Sequence, residues 1–135
     1  MIQISPTNRV SLLGCRPGIL AILPLIEEAW SAVGCDCLIT SGTEGKHGPG
    51  SLHPAPHGLA LDSMGWLDGP VPVELLHRAA DLLRKGLPLL GFDVVAEIFP
   101  KTPRRNHLHV ERDPKKRPLE AWEKGLDRGF GTGVF

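Results

Sequence analysis

Apolar residues recur at helical spacing over 17–33, where Ile19, Leu20, Ile22, Leu23, Ile26, Ala29, Trp30 and Val33 form one stripe. Pro17 suits a first helical position. Pro24 falls inside the run and predicts a kink or a split, and Gly34 predicts the C-terminal cap. A second helix is expected over 72–86, with Val73, Leu76, Ala80 and Leu83 on its apolar stripe and Gly86 and Pro88 ending it. His77 on this helix reads as a surface residue. Short strands are expected at 37–40, 59–62, 92–98 and 107–111. Residues 41–58 and 100–106 are turn-rich and polar. A short helix is expected around 119–126, and the final GFGTGVF reads as loosely packed. This order predicts an α+β fold, a small antiparallel β-sheet with flanking helices.

At 135 residues the chain reads as one domain, 1–135, with a charged tail from about residue 112. No run approaches the ~18 apolar residues of a membrane span. The first ten residues lack a basic region followed by an apolar run, so no signal peptide is read. The cysteines (Cys15, Cys35, Cys37) are odd in number, which argues against a disulfide framework and for buried thiols in a reducing compartment. Fifteen basic residues balance fifteen acidic ones, which excludes a bulk polycation for nucleic acid. No basic helix with interleaved aromatics is present either. The balance hides a division. Residues 1–100 hold six basic and ten acidic residues, whereas 101–135 hold nine basic and five acidic.

Five of the six histidines (His47, His53, His57, His107, His109) fall in two short polar segments. In the first, the loop Ser51-Leu-His-Pro-Ala-Pro-His-Gly leads into Leu59-Ala-Leu-Asp62. Alternation then puts Ala60 and Asp62 on one strand face and the leucines on the other. Gly58 permits a sharp entry into the strand, and the small Ala60 leaves room beside Asp62. In the second, His107-Leu-His-Val-Glu111, alternation puts both imidazoles and the carboxylate opposite Leu108 and Val110. Histidines clustered beside a carboxylate are the pattern of a metal site.

These motifs carry a resemblance. Ser51-x-His53, then Gly58-x-Ala60-x-Asp62, then His107-x-His109, resembles the zinc D,D-peptidase and phage endolysin family, whose fold is shared by the Hedgehog signalling domain. Thr40-Ser41-Gly42 and Phe92-Asp-Val-Val-Ala-Glu97 are similar to its phage-type branch, and the likeness spans about residues 17–115. The resemblance implies a Hedgehog/D,D-peptidase-like fold, with His53, Asp62 and His109 as ligands of Zn2+ and Glu97 as catalytic base. It makes His107 an orienting or oxyanion-stabilising group and Ser51 a hydrogen-bonding residue of the site. Two neutral imidazoles and one carboxylate would leave the metal an open position, where the pKa of a water falls to about 7.

The chain departs from that pattern in three places. His53 to Asp62 is two positions longer than usual, so His57 stands as an alternative metal ligand, with the Ser-x-His context favouring His53. The loop between Glu97 and His107 is also long. It carries Lys101, Arg104 and Arg105, and Arg104 is taken as a substrate contact. Relatives carry an Arg after the Ser-Gly turn where this chain has Thr43-Glu44-Gly45-Lys46, and Lys46 is taken to substitute for it. Glu111 is the back-up base.

The implied activity is a zinc metallopeptidase cutting a D-Ala–D-Ala-type or L-Ala–D-Glu bond in the stem peptide of peptidoglycan. The chain would be a monomer made in the cytoplasm and acting on the cell wall, as phage or prophage lysis enzymes do. Two alternatives stay open: a zinc-binding interaction domain without turnover, and a phage virion component that docks through Lys115, Lys116 and Arg117.

Overall fold

In the computed structural model, which describes residues 2–5, 10–44, 48, 50–54, 57–69 and 71–119, the run over 17–33 does split. Helix α1 spans Pro17–Ala21 and α2 spans Leu23–Ala32, with Pro17 and Pro24 in their first turns. Those are the positions where a missing N–H breaks no helical bond. Helix α3 spans Val73–Arg84 and buries Leu76, Ala79, Ala80 and Leu83, while His77 is exposed.

The strands are β1 Ile2–Ile4, β2 Asp36–Ser41, β3 Ala60–Trp66, β4 Phe92–Glu97 and β5 His107–Arg112, arranged β1-β2-β3-β5-β4. Short 3-10 turns cover Leu87–Leu90 and Pro103–Arg105. The sheet corrects the expectation of a purely antiparallel one. Strand β1 runs parallel to β2, with Ile2 opposite Cys37 and Ile4 opposite Ile39. Parallel neighbours need a crossover connection, and α1 and α2 lie within it. The remaining pairs, β2–β3, β3–β5 and β4–β5, are antiparallel. Strand β3 also runs on to Trp66, beyond the expected end at Asp62.

Alternation sorts the sheet into two faces. Leu61, Leu108, Val110 and Val94 join the core with Ile26, Trp30, Leu76 and Leu83 of the helices. The Trp30 indole Nε1–H donates to Ser63 Oγ at 3.0 Å, which satisfies a donor that burial would otherwise strand. Cys15, Cys35 and Cys37 are buried free thiols. Burial pushes Cys15 and Cys37 up to about 12, so both stay protonated. Arg112 is also buried, and its guanidinium donates to the carbonyls of Arg117 and Pro118, fixing the start of the charged tail. The helix expected around 119–126 and the terminal GFGTGVF fall almost wholly outside the described residues. No described helix is long and apolar enough to cross a membrane.

Candidate metal centre

The face of the sheet opposite the core collects the polar residues by register. Asp62 on β3 lies opposite His109 on β5, which lies opposite Val95 on β4. One pair along, Glu97 lies opposite His107. In the other direction Glu111 lies between Ala60 and Asp93. Cross-strand partners project from one face, about 5 Å apart. Two strands therefore bring Asp62 and His109 together with no help from loops.

His53 reaches this pair from the loop before β3, and it is 5% exposed. Its Nε2 lies 3.3 Å from His109 Nδ1 and 3.2 Å from Asp62 Oδ1, and His109 Nδ1 lies 2.7 Å from the same carboxylate oxygen. Ligands of a tetrahedral ion at about 2.0–2.1 Å stand about 3.3 Å from one another. Two edges of the triangle already have that length, and the third is shortened by a hydrogen bond. These three residues form a group able to hold a metal ion.

The outer nitrogens decide which atoms converge. His53 Nδ1 lies 2.9 Å from the Gly42 carbonyl, which only accepts, so Nδ1 carries the hydrogen and a neutral ring presents a bare Nε2. His109 stands between two carboxylates, its Nδ1–H donating to Asp62 Oδ1 at 2.7 Å and its Nε2 lying 3.3 Å from Glu111 Oε1, so a cation that takes Nδ1 leaves the ring hydrogen to Nε2 against Glu111. Both imidazoles are thus oriented by a second acceptor, as metal-binding histidines are.

Electrostatics reinforce the arrangement. Burial alone would raise the Asp62 carboxyl. Hydrogen bonds from His109 and His53, with the charges of His53 and His107, outweigh it and hold the group well below the carboxylate range. Burial alone would lower His109, but the Asp62 and Glu111 carboxylates raise it above the ordinary imidazole value. A proton and a cation are alternatives at that junction, so cation binding releases protons.

The seat of His53 is built by residues far away in sequence. The Glu44 carboxylate accepts from Ser41 Oγ and the Gly42 amide, both at 2.6 Å, and from the Ser11 amide at 2.9 Å. It thereby pins the turn whose Gly42 carbonyl orients His53. At Gly58 the backbone turns left-handed (φ +57°), and a Cβ there would sit 2.0 Å from the Gly14 carbonyl. Arg16 holds the same loop, its amide donating to the Gly58 carbonyl and its Nε to the His57 carbonyl. The Leu59 amide closes the loop on the Leu52 carbonyl at 2.8 Å. Ala60, on the same face of β3 as Asp62, is fully buried.

Burial raises the Glu44 carboxyl, yet its hydrogen bonds from Ser41, Ser11 and Gly42 win and lower it below 4.5. A carboxyl lowered on folding stabilises the fold above its unfolded value and loses that contribution as pH falls through its folded one. Glu44→Gln should therefore unfold at lower urea than wild type at neutral pH, with the gap narrowing as pH drops below 4.5. A gap unchanged across that range would show that the charge of Glu44 contributes nothing.

The other expected site residues are distributed as follows. His107 directs Nε2 toward Asp62 Oδ2 at 3.6 Å, while its Nδ1–H donates to the Arg105 carbonyl at 2.8 Å. Ser51 acts on the loop, its Oγ accepting from the His53 amide at 3.2 Å. His57 is exposed and stands apart from the group. Glu97 shares the sheet face with Asp62 and His109, and among the described residues no hydrogen bond or ion pair engages its carboxylate. Glu111 is committed to His109. Arg104 is exposed, and Lys46 and His47 lie outside the described residues. Sequence reasoning missed Glu44 as a supporting residue. The signal available was a carboxylate three positions after Ser41, where Ser-rich and Gly-rich turns need an acceptor for their amides. No family model, curated protein or solved structure matches the chain.

Proposed function

We propose that the chain is a zinc metallopeptidase with a D,D-peptidase-like fold that hydrolyses a peptide bond in bacterial peptidoglycan. The observation that carries the metal part is the pair of oriented imidazoles, each with its outer nitrogen tied to an acceptor and its inner one turned to Asp62. Two imidazole nitrogens and one carboxylate suit zinc in a site that keeps an open position. Zinc bound there supplies a nucleophilic water at neutral pH and polarises the scissile carbonyl.

The peptidase part is supported by the groups beside the ligands. Glu97 stands across from His107 on the same face, where its carboxylate can take a proton from water and pass it to the leaving amine. His107 keeps Nδ1–H on the Arg105 carbonyl, so a second proton on Nε2 makes it a cation facing the site. Such a group stabilises negative charge developing on the carbonyl oxygen.

Purified protein should carry about one zinc per chain. It should release new amino groups from purified peptidoglycan, lose that activity with a chelator and regain it with added zinc. Zinc binding without any released amines would instead favour the interaction-domain reading. Failure to bind zinc would remove both.

A further inference from the structure

We propose that Arg105 forms a subsite for a carboxylate of the peptide substrate, set beside the metal centre by a stack of aromatic rings. The inference rests on the peptidase reading above and goes beyond it by naming the substrate group and the residue that meets it.

The loop that carries Arg105 is tied down. Buried Asn106 accepts from the Phe99 amide through Oδ1 at 2.6 Å, which closes the loop on itself. The Thr102 amide donates to the Phe99 carbonyl at 3.0 Å and the Arg105 amide to Thr102 at 2.9 Å. The Phe99 ring stacks near-parallel on His107, with centroids 6.0 Å apart and planes 23° apart. The Arg105 guanidinium lies 4.7 Å from the centre of that same ring. His107 in turn faces Asp62. Guanidinium, phenyl ring, imidazole and metal ligand thus follow one another from the exposed loop into the centre.

Arg105 differs from the other cations nearby. Lys116 is paired with Asp93, and Arg112 is buried and donates to backbone carbonyls. Lys101 and Arg104 are exposed, and among the described residues neither rests on a ring. Arg105 is exposed and held by Phe99, with no carboxylate partner among the described residues. A ring that supports the guanidinium face leaves its N–H edge to meet a planar anion, and carboxylates fit that fork in two-point fashion.

The test uses the zinc-loaded full chain and two synthetic stem peptides, one with free carboxylates and the same peptide with them amidated. Arg105→Gln should raise KM for the free-carboxylate peptide about five- to tenfold, as loss of a charge-assisted contact does. Turnover number, zinc content and the KM for the amidated peptide should stay at wild-type values. Lys101→Gln, on the same exposed loop, should change none of these. Equal effects of Arg105→Gln on both peptides, no effect on either, or matching effects from Lys101→Gln would overturn the subsite and leave the peptidase reading standing. If wild type cleaves neither peptide, the peptidase reading fails and the subsite with it.

Discussion

Glu97→Gln should retain zinc at the wild-type ratio and lose hydrolysis of wall peptides by about 100- to 10,000-fold, the range lost with a general base. The substitution keeps shape and removes the carboxylate proposed to accept the proton. Its neighbours give no reason for the fold to suffer, because Glu97 is half-buried near the end of β4 and no described residue pairs with its carboxylate. The comparison that makes the result specific is Glu111→Gln. Glu111 lies 3.3 Å from His109 Nε2, so its loss should weaken zinc binding, by about 10- to 100-fold as second acceptors of metal histidines do. Turnover per bound zinc should be less affected. Isothermal competition with a chromophoric chelator reads the first quantity, and amine release normalised to zinc content reads the second. A Glu97→Gln enzyme that cleaves at the wild-type rate would show that the base lies elsewhere. Zinc loss in Glu97→Gln would show that Glu97 belongs to the ligand set.

How far the centre was legible depended on whether local alternation governed each residue. His107, His109 and Glu111 are sorted from Leu108 and Val110 by period two alone, and the strand does present them that way. Asp62 opposite Leu61 followed by the same logic. The choice between His53 and His57 was not local. It turns on Gly58 entering the left-handed region and on Arg16, forty-one residues before His57, gripping the His57 carbonyl. Those contacts leave His57 exposed on a turn while His53 is buried against Gly42. Glu44 escaped notice for a related reason, since one of its partners is the Ser11 amide on a distant segment. Strand β1 was missed because three residues, Ile2–Ile4, are too few to show a period. Its parallel pairing with β2 turned an expected antiparallel sheet into a mixed one. In the basic loop, Arg105 rather than Arg104 rests on Phe99, a contact between residues six apart that charge counting cannot reveal.

The same non-local support predicts that Gly42→Ala damages fold and centre together. A Cβ at position 42 would stand 2.1 Å from the Ser11 carbonyl oxygen, a backbone atom that no rotamer change can move. Ser11 would have to withdraw, yet its carbonyl accepts from the Thr43 amide at 2.8 Å and its amide donates to Glu44 at 2.9 Å. Overpacking a tight contact and disturbing these bonds should cost about 2–4 kcal/mol, read as a fall in the urea midpoint. The Gly42 carbonyl would shift with its turn and release His53 Nδ1, freeing the ring to rotate or change tautomer. Zinc affinity should then fall by about 10- to 100-fold in the protein that remains folded. Thr43→Ala separates the two effects. It deletes the Thr43 Oγ1 bonds to the Ser11 and Leu13 carbonyls, at 3.2 and 2.5 Å, while leaving position 42 without a Cβ. That variant should lose stability and keep wild-type zinc affinity. If Gly42→Ala lowers stability but binds zinc as tightly as wild type, the Gly42 carbonyl does not set the tautomer of His53.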